Sequence, residues 1–275
     1  MKKLFFAIFI VIILSACANQ QVDDVVLETP IRPAATVDLN RATPETLVDV
    51  EPPATSPDSL MAKPRQVPST FDQDVLFASQ APFGNWELPY QEACEEASLI
   101  MAYKYFAKQE LDKNIMDKEI NKLVDWELGQ FGYYTDTNLD EVTYMAEQYF
   151  GLDVEISEKA EVEYFKELIS SGYLLIVPAS GRDLDNPNFT SPGPIFHMLI
   201  VRGYDRNQFI TNDPGTRKGL KFKYHYNNLI SAIHDLIVEN SEQFRPYELK
   251  DMPDSQKLIK MRSGPQRFLI IKGLK

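Results

Sequence analysis

Cys94, His197 and Asp213 are the residue types that make a nucleophile, its base and the group that orients the base. Cys94 sits where the irregular segment WELPYQEA gives way to a helical pattern. A thiol at a helix start feels the positive end of the macrodipole, which favours thiolate, the nucleophilic form. On position alone, a buried structural thiol is the commoner fate of a lone cysteine. Glu95 and Glu96 suit the first helical turn as simple helix-start charges, although two negative charges beside a thiol oppose its ionisation. His197 lies in an apolar run between Phe196 and Met198, where a histidine is most often a satisfied core residue. His225 and His234, the other two histidines, lie in more polar surroundings and read as surface residues. Asp213 follows QFITN and precedes Pro214-Gly215, so it also reads as a turn starter.

What joins His197 to Asp213 is the element pattern around them. Residues 196–204 and 208–212 read as strands, and Asp205-Arg206-Asn207 between them reads as a hairpin turn. Sixteen residues apart around that turn, the two side chains can face each other. Upstream, residues 94–108, 110–126, 138–150 and 159–171 carry helical patterning, with Asn138 as a cap. Residues 173–179, 219–225 and 267–272 are further strands, with a helix near 226–238. Helices first and an antiparallel-leaning sheet afterwards predict an α+β domain over residues 71–275. The polar loop 181–194 directly precedes His197 and is expected to border a cleft as readily as to be plain surface.

The segments SQAPFGNW (79–86), QEACEEASLIMAYKYF (91–106), FHMLIVRGYD (196–205) and FITNDPG (209–215) together resemble the bacteriocin-processing, double-glycine-leader cysteine peptidases and their papain-like relatives. The resemblance spans residues 71–275. It implies a papain-like fold, with Cys94 as nucleophile, His197 as general base and then acid, and Asp213 holding His197. It also implies an upstream glutamine as oxyanion donor. Gln80 fits the family's segment better than Gln91, which lies three residues before the cysteine. No metal or organic cofactor is implied. The family often shows Cys-Gly where this chain has Cys94-Glu95, and the sequence holds no phosphate-binding loop of the exporter type. The expected activity is thiol-dependent cleavage of peptide bonds. There are two rivals: a cell-wall peptide crosslink hydrolase using the same triad, and a catalytically silent papain-like lipoprotein that binds peptide or protein, against which the intact triad argues.

The N-terminus makes a separate statement. Met1-Lys2-Lys3 precedes the apolar run LFFAIFIVIIL and then Leu14-Ser15-Ala16-Cys17. That order describes a secretory signal, and the run is too short to span a bilayer comfortably. Leu-Ser-Ala-Cys resembles the lipobox of bacterial lipoproteins, which implies a signal peptide over 1–16, lipid on Cys17 and a membrane-anchored position at the cell envelope, facing the extracytoplasmic side. Residues 18–70 contain eight prolines and no aromatic residue, so 17–70 reads as a solvated tether between anchor and domain.

Composition bounds the partners. Formal net charge is −12. Loss of Lys2 and Lys3 with a leader leaves 26 basic against 40 acidic residues, or −14. That balance argues against nucleic acid, which needs a basic footprint. Two cysteines in unrelated contexts exclude a disulfide scaffold and a thiolate zinc site. A peptide or protein substrate and the membrane are the partners expected.

Overall fold

Two helix starts in this chain, those after Asp112 and Asn138, are set by side chains that replace missing hydrogen bonds. The computed structural model describes residues 67–237 and 252–275, so the expected leader, Cys17 and nearly all of the tether lie outside the described residues. Helix α1 spans Cys94–Phe106. Helix α2, Lys113–Gln130, begins three residues later than the sequence pattern predicts, because the Asp112 side chain accepts the Ile115 N–H at 2.8 Å. Helix α3, Leu139–Gln148, starts at the expected Asn138, which forms a reciprocal capping box with Glu141. Helix α4 is Val162–Ser170.

Among the described residues seven strands form one antiparallel sheet. They are β1 Phe71–Asp72, β2 Leu152–Ser157, β3 Leu174–Ser180, β4 Phe196–Tyr204, β5 Gln208–Asn212, β6 Phe222–His225 and β7 Phe268–Leu274. Their order is β2-β7-β3-β4-β5-β6, with β1 added on β4. Helix α5, Tyr226–Ala232, is shorter than expected, and helix α6, Asp254–Arg262, was not expected. Strand β2 was also missed, as its LDVEIS lies among helices in the sequence. The α+β expectation holds, with one refinement. Helices cover both faces of the sheet: α1 and α3, with α2 packed on α1, share a core with Ile176, Met198 and Ile200, whereas α4 and α5 share one with Val177, Leu199 and Val201. Every residue of β3 and β4 is buried, which is why both read as unbroken apolar runs. Among the described residues no helix is long and apolar enough to cross a membrane.

The position of the segment leading to Gln80 depends on one buried cation. Ile200 pairs with Asn212 and Val201 with Thr211, but Gly203 pairs with Ile210, so Arg202 is an extra residue, a bulge in β4. Its guanidinium is fully buried. It donates to Asp72 Oδ1 at 2.8 Å, to the Val75 carbonyl at 2.7 Å, to Asn212 Oδ1 at 3.3 Å and to the Gln73 carbonyl. Gly203 beside it admits β1: a Cβ there would stand 2.5 Å from the Phe71 carbonyl oxygen. The chain then continues to Ser79 and Gln80, which donate through the Ser79 hydroxyl and the Gln80 N–H to the Pro214 carbonyl, both at 3.0 Å.

Arg202→Met keeps the stem and removes the cation, leaving Asp72 and three carbonyl or amide acceptors short of a donor. Urea denaturation is expected to show a loss of about 3–5 kcal/mol. A loss below about 1 kcal/mol would contradict the clamp.

Candidate active site

His197 is the second residue of β4 and Asp213 follows the last residue of β5. The pairing Ile200–Asn212, continued along the strands, sets Gly215 opposite His197 and Asp213 on the diagonal of the same face. The contact is made: His197 Nε2 lies 2.8 Å from Asp213 Oδ1. Nε2 is thereby occupied, and Nδ1 is the nitrogen left for a second partner. Gly215 is required at its position, since a Cβ would come within 2.7 Å of His197 Cε1. The Phe189 ring meets the imidazole edge-on at 5.2 Å.

Asp213 is fully buried and carries a full set of donors. The Gly215 N–H reaches Oδ1 at 3.0 Å, while Asn186 Nδ2 and the Tyr224 hydroxyl reach Oδ2 at 3.0 and 2.6 Å. Burial alone would raise its carboxyl. The His197 charge and the bonds from His197, Tyr224 and Gly215 outweigh that and hold it below the usual range. Burial and the Asp213 charge push the Tyr224 phenol up, so Tyr224 remains an O–H donor. Asn186 lies in the loop 181–194 and Tyr224 in β6. Neither was singled out from sequence, because a lone Asn in a polar loop and a lone Tyr in a strand carry no local signal.

Cys94 is the first residue of α1 and lines, with His197 and Gln80, a cleft of about 660 Å³. Its N–H lies in the first turn, where no intrahelical acceptor exists. The thiol departs from expectation. It is 4% exposed, and it donates to Glu95 Oε2 at 3.0 Å rather than to His197. Burial, followed by the charges of Glu95, Asp136 and Glu96, pushes it well above its ordinary value. The helix-start field therefore does not win here: desolvation and the adjacent carboxyls favour the thiol.

Glu95 and Glu96 are not helix-start surface charges. Both are fully buried. Glu95 Oε1 accepts the Thr137 N–H at 2.7 Å, so Glu95 ties the thiol to the loop before α3. Glu96 faces Glu127 of α2, and no hydroxyl, amide or amine donates to either carboxyl. A proton shared between the two is what makes that burial tolerable. Burial raises Glu127 to about 8, helped by the Glu95 and Glu141 charges and opposed by the bond with Glu96. Asp136, at the cleft beside Glu92, is raised first by burial and then by the Glu95 and Glu92 charges.

Gln80 is 3% exposed, and Gln91 is exposed; both line the cleft. Gln80 Nε2 donates to the Tyr90 carbonyl at 2.9 Å and to the Gln91 carbonyl at 3.3 Å, while its Oε1 has no donor. The loop 181–194 does border the cleft, through residues 187–190 and Pro194. His225 is exposed as expected, but His234 is half-buried and bonded through Nδ1 to the Gly264 carbonyl at 2.9 Å. Among the described residues no group of three or more His, Cys, Asp or Glu is arranged to hold a metal ion.

A family model described as the Peptidase_C39 like family matches residues 73–235, a span that contains Gln80, Cys94, His197 and Asp213. A solved Bacillus anthracis structure, described as that of a C39-like peptidase, is similar at 18% identity with a TM-score of 0.40, over 74% of this chain and 96% of that one. No curated protein matches the chain.

Two outcomes follow from the carboxyls. Glu95→Gln removes the carboxyl that accepts the Cys94 S–H and puts an N–H donor within reach of the sulfur. Iodoacetamide should then modify Cys94 about tenfold faster at pH 7, equivalent to one pKa unit; an unchanged rate would show that Glu95 does not restrain the thiol. Glu127, with a folded value raised to about 8, contributes its full stability below the unfolded value of 4.5 and loses it as pH rises toward 8. Glu127→Gln stays neutral, so its melting temperature should gain on the wild type between pH 5 and pH 8. Parallel melting profiles over that interval would refute the shared-proton account.

Proposed function

Because the chain belongs to the Peptidase_C39 like family, we propose that its folded domain is a cysteine peptidase in which Cys94 attacks the carbonyl of a peptide bond. The observation that carries this reading is the 2.8 Å bond between His197 and the buried Asp213, beside a cleft that also contains Cys94. Asp213 sets the tautomer that puts a bare Nδ1 toward the cleft. The thiol turns from Glu95, passes its proton to His197, and Sγ bonds to the substrate carbonyl carbon. The Cys94 N–H and the Gln80 amide then donate to the oxyanion. Gln80 can do so by giving up the longer of its two carbonyl bonds, the one to Gln91. Removing one such donor costs about 10²–10³ in rate. His197 next protonates the leaving amine as the tetrahedral intermediate collapses to a thioester. Water, deprotonated by His197, releases the acid product and restores the thiol. We place this domain at the cell envelope, tethered by lipid on Cys17, on the strength of the Leu-Ser-Ala-Cys segment.

One observation favours a second reading. A thiol raised by burial and bonded to Glu95 suits a domain that binds peptide in the same cleft without turnover. Intact-mass measurement separates the two. The peptidase reading expects wild-type protein to accumulate a transient acyl adduct on Cys94 with a cleavable peptide ester, and Cys94→Ala to form none and lose at least about 10³ in hydrolysis. Peptide binding of equal strength in both proteins, with no adduct, would establish the binder.

A further inference from the structure

The two walls of the cleft differ in charge. On one wall stand Glu92, just before α1, and Asp136, in the loop before α3. On the wall of the sheet stand Arg217 and Lys218, both exposed, on the turn that follows Asp213. Several other cations of this acidic chain are paired, among them Lys221 with Asp72, Lys223 with Asp205, Arg182 with Asp254 and Arg262 with Asp183; Lys108, Lys118 and Arg206 are not in an ion pair among the described residues, but they stand away from the cleft. Among the described residues, Arg217 and Lys218 have no carboxylate partner. Two unpaired cations at the mouth of a cleft in a chain of net charge −12 are a local exception to the protein's own field.

Their backbone is held in place. The Asp213 N–H donates to the Gly219 carbonyl at 3.1 Å, the Gly219 N–H to the Thr216 carbonyl at 3.2 Å, and the Lys218 N–H to the Thr216 hydroxyl at 3.2 Å. Gly219 is required in this turn, since a Cβ there would overlap the Asp213 carbonyl oxygen at 1.7 Å. It starts at Gly215, packed against the His197 imidazole. His197 must hand its proton to the leaving amine, so the part of a substrate that follows the scissile bond lies on the imidazole side. The cations therefore face the leaving half of the substrate, and the carboxyls stand on the opposite wall, beside Cys94.

We propose that Arg217 and Lys218 select peptide substrates carrying an acidic side chain or carboxylate within the first three residues after the scissile bond. The inference rests on the peptidase reading of this cleft and adds the substrate class. Complementary charge at an exposed rim acts on encounter and orientation more than on the chemical step.

The test uses the full chain and a pool of peptides of defined sequence, with every cut located by mass spectrometry. Wild-type protein is expected to cut with at least about fivefold enrichment of Asp or Glu in the three positions on the amine side of the cut. The double variant Arg217→Gln/Lys218→Gln should lose that enrichment. Arg217→Glu/Lys218→Glu should favour Lys or Arg at the same positions, with its melting temperature showing that it folds. Cleavage that requires Cys94 but shows no acidic enrichment, or enrichment that survives charge reversal, overturns this inference alone. A wild-type protein that cuts no peptide in the pool overturns the peptidase reading and this inference with it.

Discussion

The one-residue offset that Arg202 introduces between β4 and β5 is the constraint on which the site depends. Side chains alternate faces along a strand, so a shift of one residue in pairing turns every partner to the other face. Beyond the bulge, Gly203 opposes Ile210; before it, Ile200 opposes Asn212. The second offset brings Asp213 onto the face of His197. The first, carried to the same end of the hairpin, would set Thr216 opposite His197 and turn Asp213 away. The extra residue is held by a fully buried guanidinium that binds Asp72, Asn212 and the carbonyls of Gln73 and Val75. One side chain thus fixes the register of the paired residues and anchors the segment that delivers Gln80.

The two halves of the site are prepared to different degrees. The imidazole half is finished: Asp213 has four donors and His197 is wedged between Gly215 and Phe189. The thiol half is held in reserve by burial and by Glu95. Behind it, Glu96 and Glu127 occupy the α1–α2 contact, where apolar side chains would pack at no electrostatic cost. Glu127 titrates near 8, so the charge behind the thiol changes across the neutral range. A thiol in such surroundings ionises only when something within the cleft outweighs burial and the carboxyls.

Much of the fold was legible because local periodicity and capping agree with the tertiary result. The strands of residues 196–204 and 208–212 match β4 and β5, and Asn138 caps α3 as expected. The misses have physical causes. Strand β2 alternates polar and apolar residues at the edge of the sheet and is too short to stand out between two helices. Helix α6 carries little apolar character, and only Met261 is buried, so periodicity gave no signal. Glu95 and Glu96 read as simple helix-start charges because acidic residues suit a first helical turn. Only the packing of α2 and of the loop before α3 over α1 takes them out of water.

By itself the sequence determined residue types, their order and their local setting: Gln80 before Cys94 at a helix start, His197 within a buried strand, and Asp213 after a hairpin. These follow from propensity, caps and turn chemistry, which act over a few residues. The tertiary structure decided which way the side chains point and what surrounds them. The bulge aims Asp213 at His197, Asn186 and Tyr224 converge on it from 27 and 11 residues away, and the layer of α2 buries the carboxyls that restrain Cys94. Register and desolvation arise from contacts between distant segments, and no window of the sequence contains both partners.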